Sequence, residues 1–159
     1  MANSKTNAMR ILDAKNILYD TSTYDKKDGK IDGISVAQKI GKEPEKVYKT
    51  LVTEGTTGEI YVFVIPVKEE LDLKKAARIT GEKKIEMIPV KNIQRLTGYI
   101  RGGCSPIGMK KDYKTFIDIS AQTIKEIIIS AGKIGIQIEL NINDLLYIVN
   151  GELQDIIKR

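Results

Sequence analysis

The sequence contains no histidine, and its only cysteine among 159 residues is Cys104. Without an imidazole, the chain cannot build the Ser-His-Asp or Cys-His arrangements of nucleophilic catalysis, or the usual zinc sites. A lone cysteine also excludes a disulfide within the chain and a cysteine cluster around a metal ion. Any catalysis must therefore use lysine, carboxylates, hydroxyls, main-chain N–H groups or the substrate itself, and we expect no metal and no other cofactor.

The sequence also lacks an apolar run of about 18 residues and a signal-peptide pattern at its start. We therefore expect neither a membrane span nor secretion, and we expect the protein to act in the cytoplasm. The 26 lysines and arginines exceed the 21 aspartates and glutamates, which gives a net charge of +5. This excess is compatible with a solvated basic surface or with weak attraction for a polyanion. The length and globular composition predict one domain over residues 1–159.

Short strands interleaved irregularly with helices predict a mixed α/β fold. We expect a mixed, mostly antiparallel sheet or a small open barrel, surrounded by helices. Strands at 47–52 and 59–66, separated by EGTTG, are typical of an antiparallel hairpin. The isoleucine-rich strand at 125–130 is expected to be central in its sheet. The other predicted strands are at 19–25, 85–88, 115–119, 136–140 and 153–157.

Helical spacing of Ile11, Ala14 and Leu18 predicts a first helix over 7–18, with Ser4 or Thr6 as its cap. Further helices are predicted at 33–40, at 73–80 after a cap at Asp72, at 90–96, and after a cap at Asn143.

The segment 96–111, LTGYIRGGCSPIGMKK, is the most unusual stretch of the chain, with four glycines and one proline in sixteen residues. Gly102 and Gly103 lack a Cβ, so the main chain there can take a positive φ or approach a ligand closely. Such a loop turns N–H groups outward beside basic side chains, which suits an anionic ligand. A tight glycine-rich connection without a ligand is equally compatible with the pattern.

Lys49 lies within the strand VYKTLV at 47–52, where alternation places it on one face with Val47 and Leu51. A lysine among aliphatic neighbours either extends its ammonium past them to water or is partly desolvated beside a cleft. In the second case its pKa falls and its charge acts strongly on a bound anion or carbonyl.

Ser130 ends the isoleucine strand directly before a glycine turn, where its hydroxyl can face a ligand or bond its own main chain. Lys133 in that turn is a candidate phosphate contact or a solvated residue. Cys104 has no histidine to activate it, which favours a packed thiol over a nucleophile.

Four segments together resemble the YbaK/EbsC family of free-standing deacylases, which are related to the editing domain of bacterial prolyl-tRNA synthetases. They are TYDKKDG at 23–29, VYKTLV at 47–52, TGYIRGGCSPIGMKK at 97–111 and SAGKIGIQIEL at 130–140. The resemblance covers nearly the whole chain, in order, and implies the editing-domain fold.

The resemblance implies trans-editing, the hydrolysis of a wrongly charged aminoacyl-tRNA, with cysteine on tRNA for proline as the usual substrate of the YbaK branch. Lys49 matches the lysine that holds the terminal adenosine or its phosphate. Gly102 and Gly103 match the glycine pair whose N–H groups can face the ester carbonyl as an oxyanion hole. Tyr24, Thr50 and Ser130, with Gly132 beside it, match the pocket that binds the substrate.

The resemblance also suggests a mechanism without histidine, in which the thiol of the substrate attacks its own ester carbonyl and gives a cyclic thioester. The enzyme then supplies positioning and oxyanion stabilisation. The chain departs from the family at Cys104, where an aliphatic residue is common, and at Gln137, where some relatives carry an acid.

Two alternatives stay open on the sequence alone. One is a deacylase of the same superfamily that removes alanine by attack of water. The other is a tRNA-binding or synthetase-associated module without chemistry of its own. Lys110, Lys111 and Lys133 are the predicted phosphate contacts, and they would serve a binding module as well as an enzyme, since neutralising phosphate needs only positive charge. The partners implied are tRNA for proline and prolyl-tRNA synthetase.

Overall fold

The computed structural model describes residues 5–159, which form two β-sheets and six α-helices. The elements are α1 (Asn7–Ala14), β1 (Asp20–Thr23), α2 (Gly33–Lys39), β2 (Tyr48–Gly55), β3 (Ile60–Pro66), α3 (Leu73–Thr80), β4 (Ile85–Met87), α4 (Ile93–Thr97), β5 (Lys114–Asp118), α5 (Ala121–Ile124), β6 (Glu126–Ser130), β7 (Ile136–Asn141), α6 (Ile142–Val149) and β8 (Glu152–Gln154). None of the helices in this part of the chain is both long and apolar enough to cross a membrane.

The smaller sheet has the strand order β1-β7-β6 and is antiparallel throughout, whereas the larger has the order β4-β2-β3-β5-β8. In the larger sheet β2 pairs antiparallel with β3 and β4, and β5 pairs parallel with β3 and β8. The predicted mixed, mostly antiparallel α/β fold is confirmed, and the sheets do not close into a barrel.

The two faces of the β2–β3 hairpin pack into two separate layers of the hydrophobic core. Tyr48 and Val64 pack with isoleucines of the smaller sheet, whereas Leu51 and Phe63 pack on the side covered by α3. The Phe63 ring stacks on Phe116 of β5, with centroids 5.5 Å apart. The alternation predicted for 47–52 is therefore confirmed, since Tyr48 and Leu51 enter opposite layers.

The two sheets meet where β2 and β6 approach each other, in a parallel bridge between Val47 and Ile128. Val47 and Ile128 pack with Ala37 of α2 and with Val67 in a small apolar cluster. Beyond the bridge the strands diverge, because β2 continues into its pairing with β4 while β6 stays paired with β7. We call the gap between the diverging strands the fork.

Three details differ from the sequence-based expectations. The first helix ends at Ala14, because Asn16 takes a left-handed φ of 57° and turns the chain. Its buried face consists of Ala8, Met9 and Leu12, and Leu18 is 88% exposed. Thr6 provides the cap, its hydroxyl accepting from the Met9 N–H at 3.2 Å, while Ser4 lies outside the described residues.

The expectation of a central β6 was wrong, because β7 lies in the middle of the smaller sheet. Both faces of β6 are nonetheless buried, which explains its run of isoleucines: Ile127 and Ile129 face the main core, and Ile128 faces the cluster at the bridge. The cap of α6 is Asn141 and not Asn143, whose own N–H donates to the Asn141 side chain at 2.8 Å.

Ile128→Ala is expected to lower the free energy of unfolding by about 2–5 kcal/mol, because it opens a cavity where the two sheets join. Ile128 is 2% exposed. The matched control is Ile119→Ala, since Ile119 is 42% exposed and its truncation is expected to change stability by less than about 0.5 kcal/mol. Equal denaturant midpoints for the two variants would contradict the importance of this junction.

Candidate functional site

A pocket of about 100 Å³ lies at the fork between β2 and β6. A site for one water needs roughly 10–15 Å³. The pocket therefore admits a small group of several atoms. Its wall comes from β2, β6 and β7, from the segment that leads from β1 into α2, and from the glycine-rich loop. The lining residues are Tyr24, Ile31, Gly33, Val36, Val47, Tyr48, Lys49, Thr50, Val67, Gly102, Cys104, Ser130 and Gln137.

Lys49 is the one cation among the lining residues, and the other ionisable groups in that set are two tyrosines and a thiol. Burial lowers the pKa of Lys49, and the attraction of Glu70 and Glu69 offsets that effect only in part. Among residues 5–159 the Lys49 ammonium has no hydrogen-bond or ion-pair partner. A partly desolvated, unpaired ammonium is suited to bind an anionic or strongly dipolar group of a ligand.

Two hydroxyls at the pocket are buried and have no hydrogen-bond partner within residues 5–159, those of Tyr24 and Thr50. A buried polar group without a partner costs free energy, so few remain in folded proteins. Both residues line the pocket, where a ligand can supply the missing hydrogen bonds.

The main chain of Thr50 is also directed into the fork. The Val67 N–H donates to the Val47 carbonyl at 2.9 Å, at one end of the hairpin. At the other end, the Gly55 N–H donates to the Glu59 carbonyl, also at 2.9 Å. Odd-numbered residues of β2 therefore bond to β3, and the N–H and C=O of Thr50 point to the opposite edge. Beyond that edge β6 has already diverged, so these groups face the pocket.

Gly102 and Gly103 have different surroundings in the glycine-rich loop. Gly102 lines the pocket with a φ of 90°, and its N–H donates to no group within residues 5–159. The Gly103 N–H donates to the Ile100 carbonyl at 3.0 Å. A Cβ on Gly103 would lie 2.9 Å from the Ile134 amide nitrogen. Gly103 thus allows two loops to pack main chain against main chain, while the unpaired amide belongs to Gly102.

Ser130 and Gly132 interact with each other at the end of β6. The Gly132 N–H donates to the Ser130 hydroxyl oxygen at 3.1 Å, which is the local turn bond considered for such a serine. Ser130 nevertheless lines the pocket, whereas Gly132 does not. A Cβ on Gly132 would lie 2.8 Å from the Tyr99 ring. Gly132 therefore shapes the loop contact behind the pocket.

Cys104 lines the pocket as a protonated thiol, because burial raises its pKa to about 11. A thiol with that pKa carries little thiolate at neutral pH, so its side chain is a poor nucleophile. Gln137 on β7 also lines the pocket and is 6% exposed. No carboxylate is among the lining residues.

The three lysines predicted to contact phosphate are all exposed, but they lie in different places. Lys133 belongs to the turn that packs on Gly103. Lys110 follows the glycine-rich loop, and its side chain lies against Gly98. Lys111 lines another cavity, between that loop and α6. Of these three, Lys133 is the one whose main chain lies against Gly103, the neighbour of the pocket-lining Gly102.

The sequence-based prediction did not include Ile31, Gly33 or Val67, which form the side of the pocket next to α2. A Cβ on Gly33 would lie 2.2 Å from Val67 Cγ1, and one on Gly102 would lie 2.8 Å from Ile31 Cδ1. The glycine before α2 was visible in the sequence, but nothing local indicated its neighbours. Within residues 5–159 the cysteine, aspartates and glutamates form no cluster of three or more that could hold a metal ion.

The arrangement places an unpaired cation, two unpaired hydroxyls and the main chain of Gly102, whose N–H has no partner within residues 5–159, around a small, partly buried space. These groups can hold a polar ligand and stabilise negative charge that develops on an oxygen.

Comparisons with known proteins identify the family of the chain. Residues 32–148 match the family model described as an aminoacyl-tRNA editing domain. A protein of Enterococcus faecalis named "Putative Cys-tRNA(Pro)/Cys-tRNA(Cys) deacylase EbsC" is 45% identical over 152 residues, which cover 96% of this chain and 93% of the relative.

Two crystal structures share the fold. One is described as a "putative trans-editing enzyme for prolyl tRNA synthetase" and superposes with a TM-score of 0.83 at 21% identity, covering 98% of this chain and all of the other. The second is described as "hypothetical protein APE2540" and superposes with a TM-score of 0.87 at 18% identity, covering 96% of this chain and all of the other.

Gly103→Ala is expected to destabilise the protein by about 1–3 kcal/mol, because the added methyl meets the main chain of the neighbouring turn, which cannot move aside cheaply. The control is Gly151→Ala, whose added methyl would meet side chains of Val149 and Leu146 at 3.1 and 3.5 Å. Thermal unfolding of both variants measures the difference. A Gly103→Ala protein as stable as the control would show that the two loops do not depend on this close approach.

Proposed function

The chain belongs to the aminoacyl-tRNA editing domain family, and from that premise we propose that its substrate is cysteine esterified to tRNA for proline. It is an aminoacyl-tRNA deacylase, which removes a wrong amino acid from tRNA in trans. The choice of cysteine follows the name of the relative that is 45% identical and the small volume of the pocket.

The observation that carries the proposal is the convergence of Lys49, the Gly102 amide and the unpartnered hydroxyls of Tyr24 and Thr50 on one pocket. An aminoacyl ester at the end of tRNA presents a phosphate, ribose hydroxyls, an ester carbonyl and an α-amino group. Each unpaired protein group has a complementary partner in that set. A module that only neutralised phosphates would have no need for a buried pocket with unpaired donors.

In this assignment Lys49 binds the terminal adenosine or its phosphate and holds the ester in place. The Gly102 amide donates to the carbonyl oxygen of the ester as that oxygen becomes negative, which is the larger part of the oxyanion hole. Gly103 holds the loop in shape, because its own N–H is bonded to the Ile100 carbonyl. The hydroxyl and main-chain groups of Thr50, with the hydroxyls of Tyr24 and Ser130, orient the α-amino group and the ribose.

The bond is broken by the thiol of the substrate. Its sulfur attacks the ester carbonyl, a C–S bond forms, the C–O bond to the ribose breaks, and the thiol proton passes to the departing ribose oxygen. The products are a cyclic thioester and tRNA with a free hydroxyl, which makes this step a lyase reaction; water then opens the thioester. This route needs no protein base, which suits a chain without histidine, and positioning supplies much of the acceleration.

We also propose that residues 1–159 form one deacylase domain and that the protein acts in the cytoplasm. Lys110, Lys111 and Lys133 neutralise phosphates of the tRNA, and prolyl-tRNA synthetase is the partner that delivers the mischarged product. The description of one structural neighbour as a trans-editing enzyme for that synthetase supports the partnership.

The decisive experiment compares deacylation of tRNA for proline charged with cysteine, alanine or serine. The cysteine ester is expected to be lost at least about 100-fold faster than the other two, because only its side chain can attack the carbonyl and well-placed intramolecular groups gain large effective molarities. Cys104→Ala is the control, and it is expected to change the rate far less than removing the substrate thiol does.

Comparable rates for alanine and cysteine would favour attack by water, and a faster loss of the alanine ester would favour an alanine-selective enzyme. No loss of any ester, with tRNA still bound, would instead favour a binding module. If the Cys104→Ala variant removed the cysteine ester only as slowly as the unmodified enzyme removes the alanine ester, the nucleophile would be the Cys104 thiol and not the thiol of the substrate.

Lys49→Met is expected to lower the deacylation rate on the order of 100-fold, by removing the positioned charge, while the melting temperature stays the same or rises. The second expectation follows from the lowered pKa of Lys49. A lysine whose pKa is lower in the folded state binds protons more tightly in the unfolded state, so its charged form opposes folding. A variant that lost activity by unfolding would contradict this assignment.

The pH dependence provides a second readout of Lys49. The ammonium loses its proton as the pH rises through its folded pKa, which lies below the ordinary value of 10.5. The enzymatic rate, after subtraction of the uncatalysed hydrolysis of the ester, is therefore expected to fall with rising pH in that range. Lys49→Met is expected to lack this fall, and a fall that persisted in the variant would assign it to another group.

A further inference from the structure

The segment between β1 and α2 combines a fixed main-chain shape with three exposed lysines beside the pocket. It runs through 24–32 and contains Lys26, Lys27 and Lys30, all exposed. Within residues 5–159 none of these three ammonium groups has an ion-pair or hydrogen-bond partner. We call the residues 25–30, DKKDGK, the lysine loop.

A fourth lysine, Lys39 at the end of α2, holds this loop from inside. Its ammonium donates to the Asp25 carbonyl at 2.6 Å, to Asp28 Oδ1 at 2.8 Å and to the Lys30 carbonyl at 2.9 Å. An ammonium has three protons, so all of its donors are used within the loop. The Lys39 side chain is only 21% exposed, which makes it an internal anchor and leaves the other lysines free.

The acidic residues of the loop are exposed, but both accept hydrogen bonds from within the loop. Asp25 accepts from the Lys27 N–H at 3.0 Å, and Asp28 accepts from the Lys30 N–H at 3.0 Å as well as from Lys39. Lys39 thus neutralises Asp28, and both carboxylates serve the loop's own main chain. On the exposed surface of the loop, three free ammonium groups outnumber the two carboxylates.

The lysine loop is tied to the pocket at both of its ends. The Tyr24 N–H donates to the Gly135 carbonyl at 2.9 Å, and Lys39 lies 5.9 Å from the centre of the Tyr24 ring. Ile31 lies against Gly102. The aliphatic part of Lys26 lies close to Gly135, in the turn that also carries Lys133. Positive charge on two neighbouring loops therefore lies next to a pocket that, on the proposed function, receives the end of a nucleic acid.

We propose that the lysine loop binds the phosphodiester backbone of the tRNA acceptor end, with Lys26, Lys27 and Lys30 neutralising phosphates and Lys39 acting as the positioning residue. This inference rests on the proposed function and adds a second basic element to Lys110, Lys111 and Lys133. A preformed loop loses little conformational entropy when it binds, which favours contacts of this kind over those of a flexible basic tail.

The test compares two triple variants that remove the same charge. One is Lys26→Gln/Lys27→Gln/Lys30→Gln. The control is Lys74→Gln/Lys83→Gln/Lys91→Gln, which changes exposed lysines of α3, of the turn before β4 and of the turn before α4. Binding of uncharged tRNA for proline is measured for both variants and for the unmodified protein at several salt concentrations.

The loop triple is expected to bind uncharged tRNA about 10- to 100-fold more weakly at 0.1 M salt, with the slope of log K against log salt reduced by about 2, since each contact to a single strand contributes about 0.7. Its KM for deacylation is expected to rise more than its kcat falls. The control triple is expected to bind within about threefold of the unmodified protein. Equal weakening of both triples, or full binding by the loop triple, would overturn the proposal.

Lys39 has a separate readout. Lys39→Met is expected to weaken tRNA binding although it leaves the three exposed lysines in place, and to cause no further weakening in the loop triple, because it acts only through them. Additive losses would show that Lys39 does not act through the loop. If the unmodified protein bound no tRNA at all, the proposed function itself would be wrong. If it bound tRNA and the loop triple bound equally well, only the role of the lysine loop would be wrong.

Discussion

The divergence of two strands beyond a single bridge is the constraint on which the site depends. Val47 and Ile128 hold β2 and β6 together, and after them each strand follows a different sheet. If β2 and β6 formed a continuous sheet at this point, the main chain of Thr50 would be hydrogen-bonded to β6 and no pocket would lie between the strands. Because the strands separate, polar main-chain groups are exposed in a partly buried place, where hydrogen bonds to a ligand are strong.

The loops complete the fork by close approach of main chain to main chain. Gly103 packs on the Ile134 amide and Gly102 on Ile31, so the glycine-rich loop is supported from two directions. Groups held in this way need little reorganisation when negative charge develops, and this preorganisation is a major source of catalytic power. A chain without histidine depends on it more than most, because it has no ordinary base to move a proton.

The features that follow from local sequence were predictable. The alternation and the glycine turn predict the β2–β3 hairpin. The cap at Asp72, whose carboxylate accepts from the main-chain N–H groups of Lys74 and Lys75, predicts the helix that follows it. Lys49 stood out because a charge in an apolar strand is unusual. These patterns are set by neighbours in the sequence, and local physics is enough to interpret them.

The rest depended on contacts between distant segments. The position of β6 at the edge of its sheet could not be seen, because cover by α2 and β2 makes an edge strand as apolar as a central one. The different surroundings of Gly102 and Gly103 arise from a turn thirty residues later, and the anchoring role of Lys39 from three acceptors across a loop. The sequence showed four lysines in this region but not which one faced inward.

The bridge between Val47 and Ile128 also has a consequence for folding. Its two residues are far apart in the chain, so the fork forms only after both sheets are built and docked, and closing such a long loop is slow and entropically costly. No early hairpin or isolated sheet contains the pocket. Deacylase activity during refolding should therefore appear together with the last cooperative step, and a newly made chain would be unable to act on tRNA until its C-terminal strands had joined the rest.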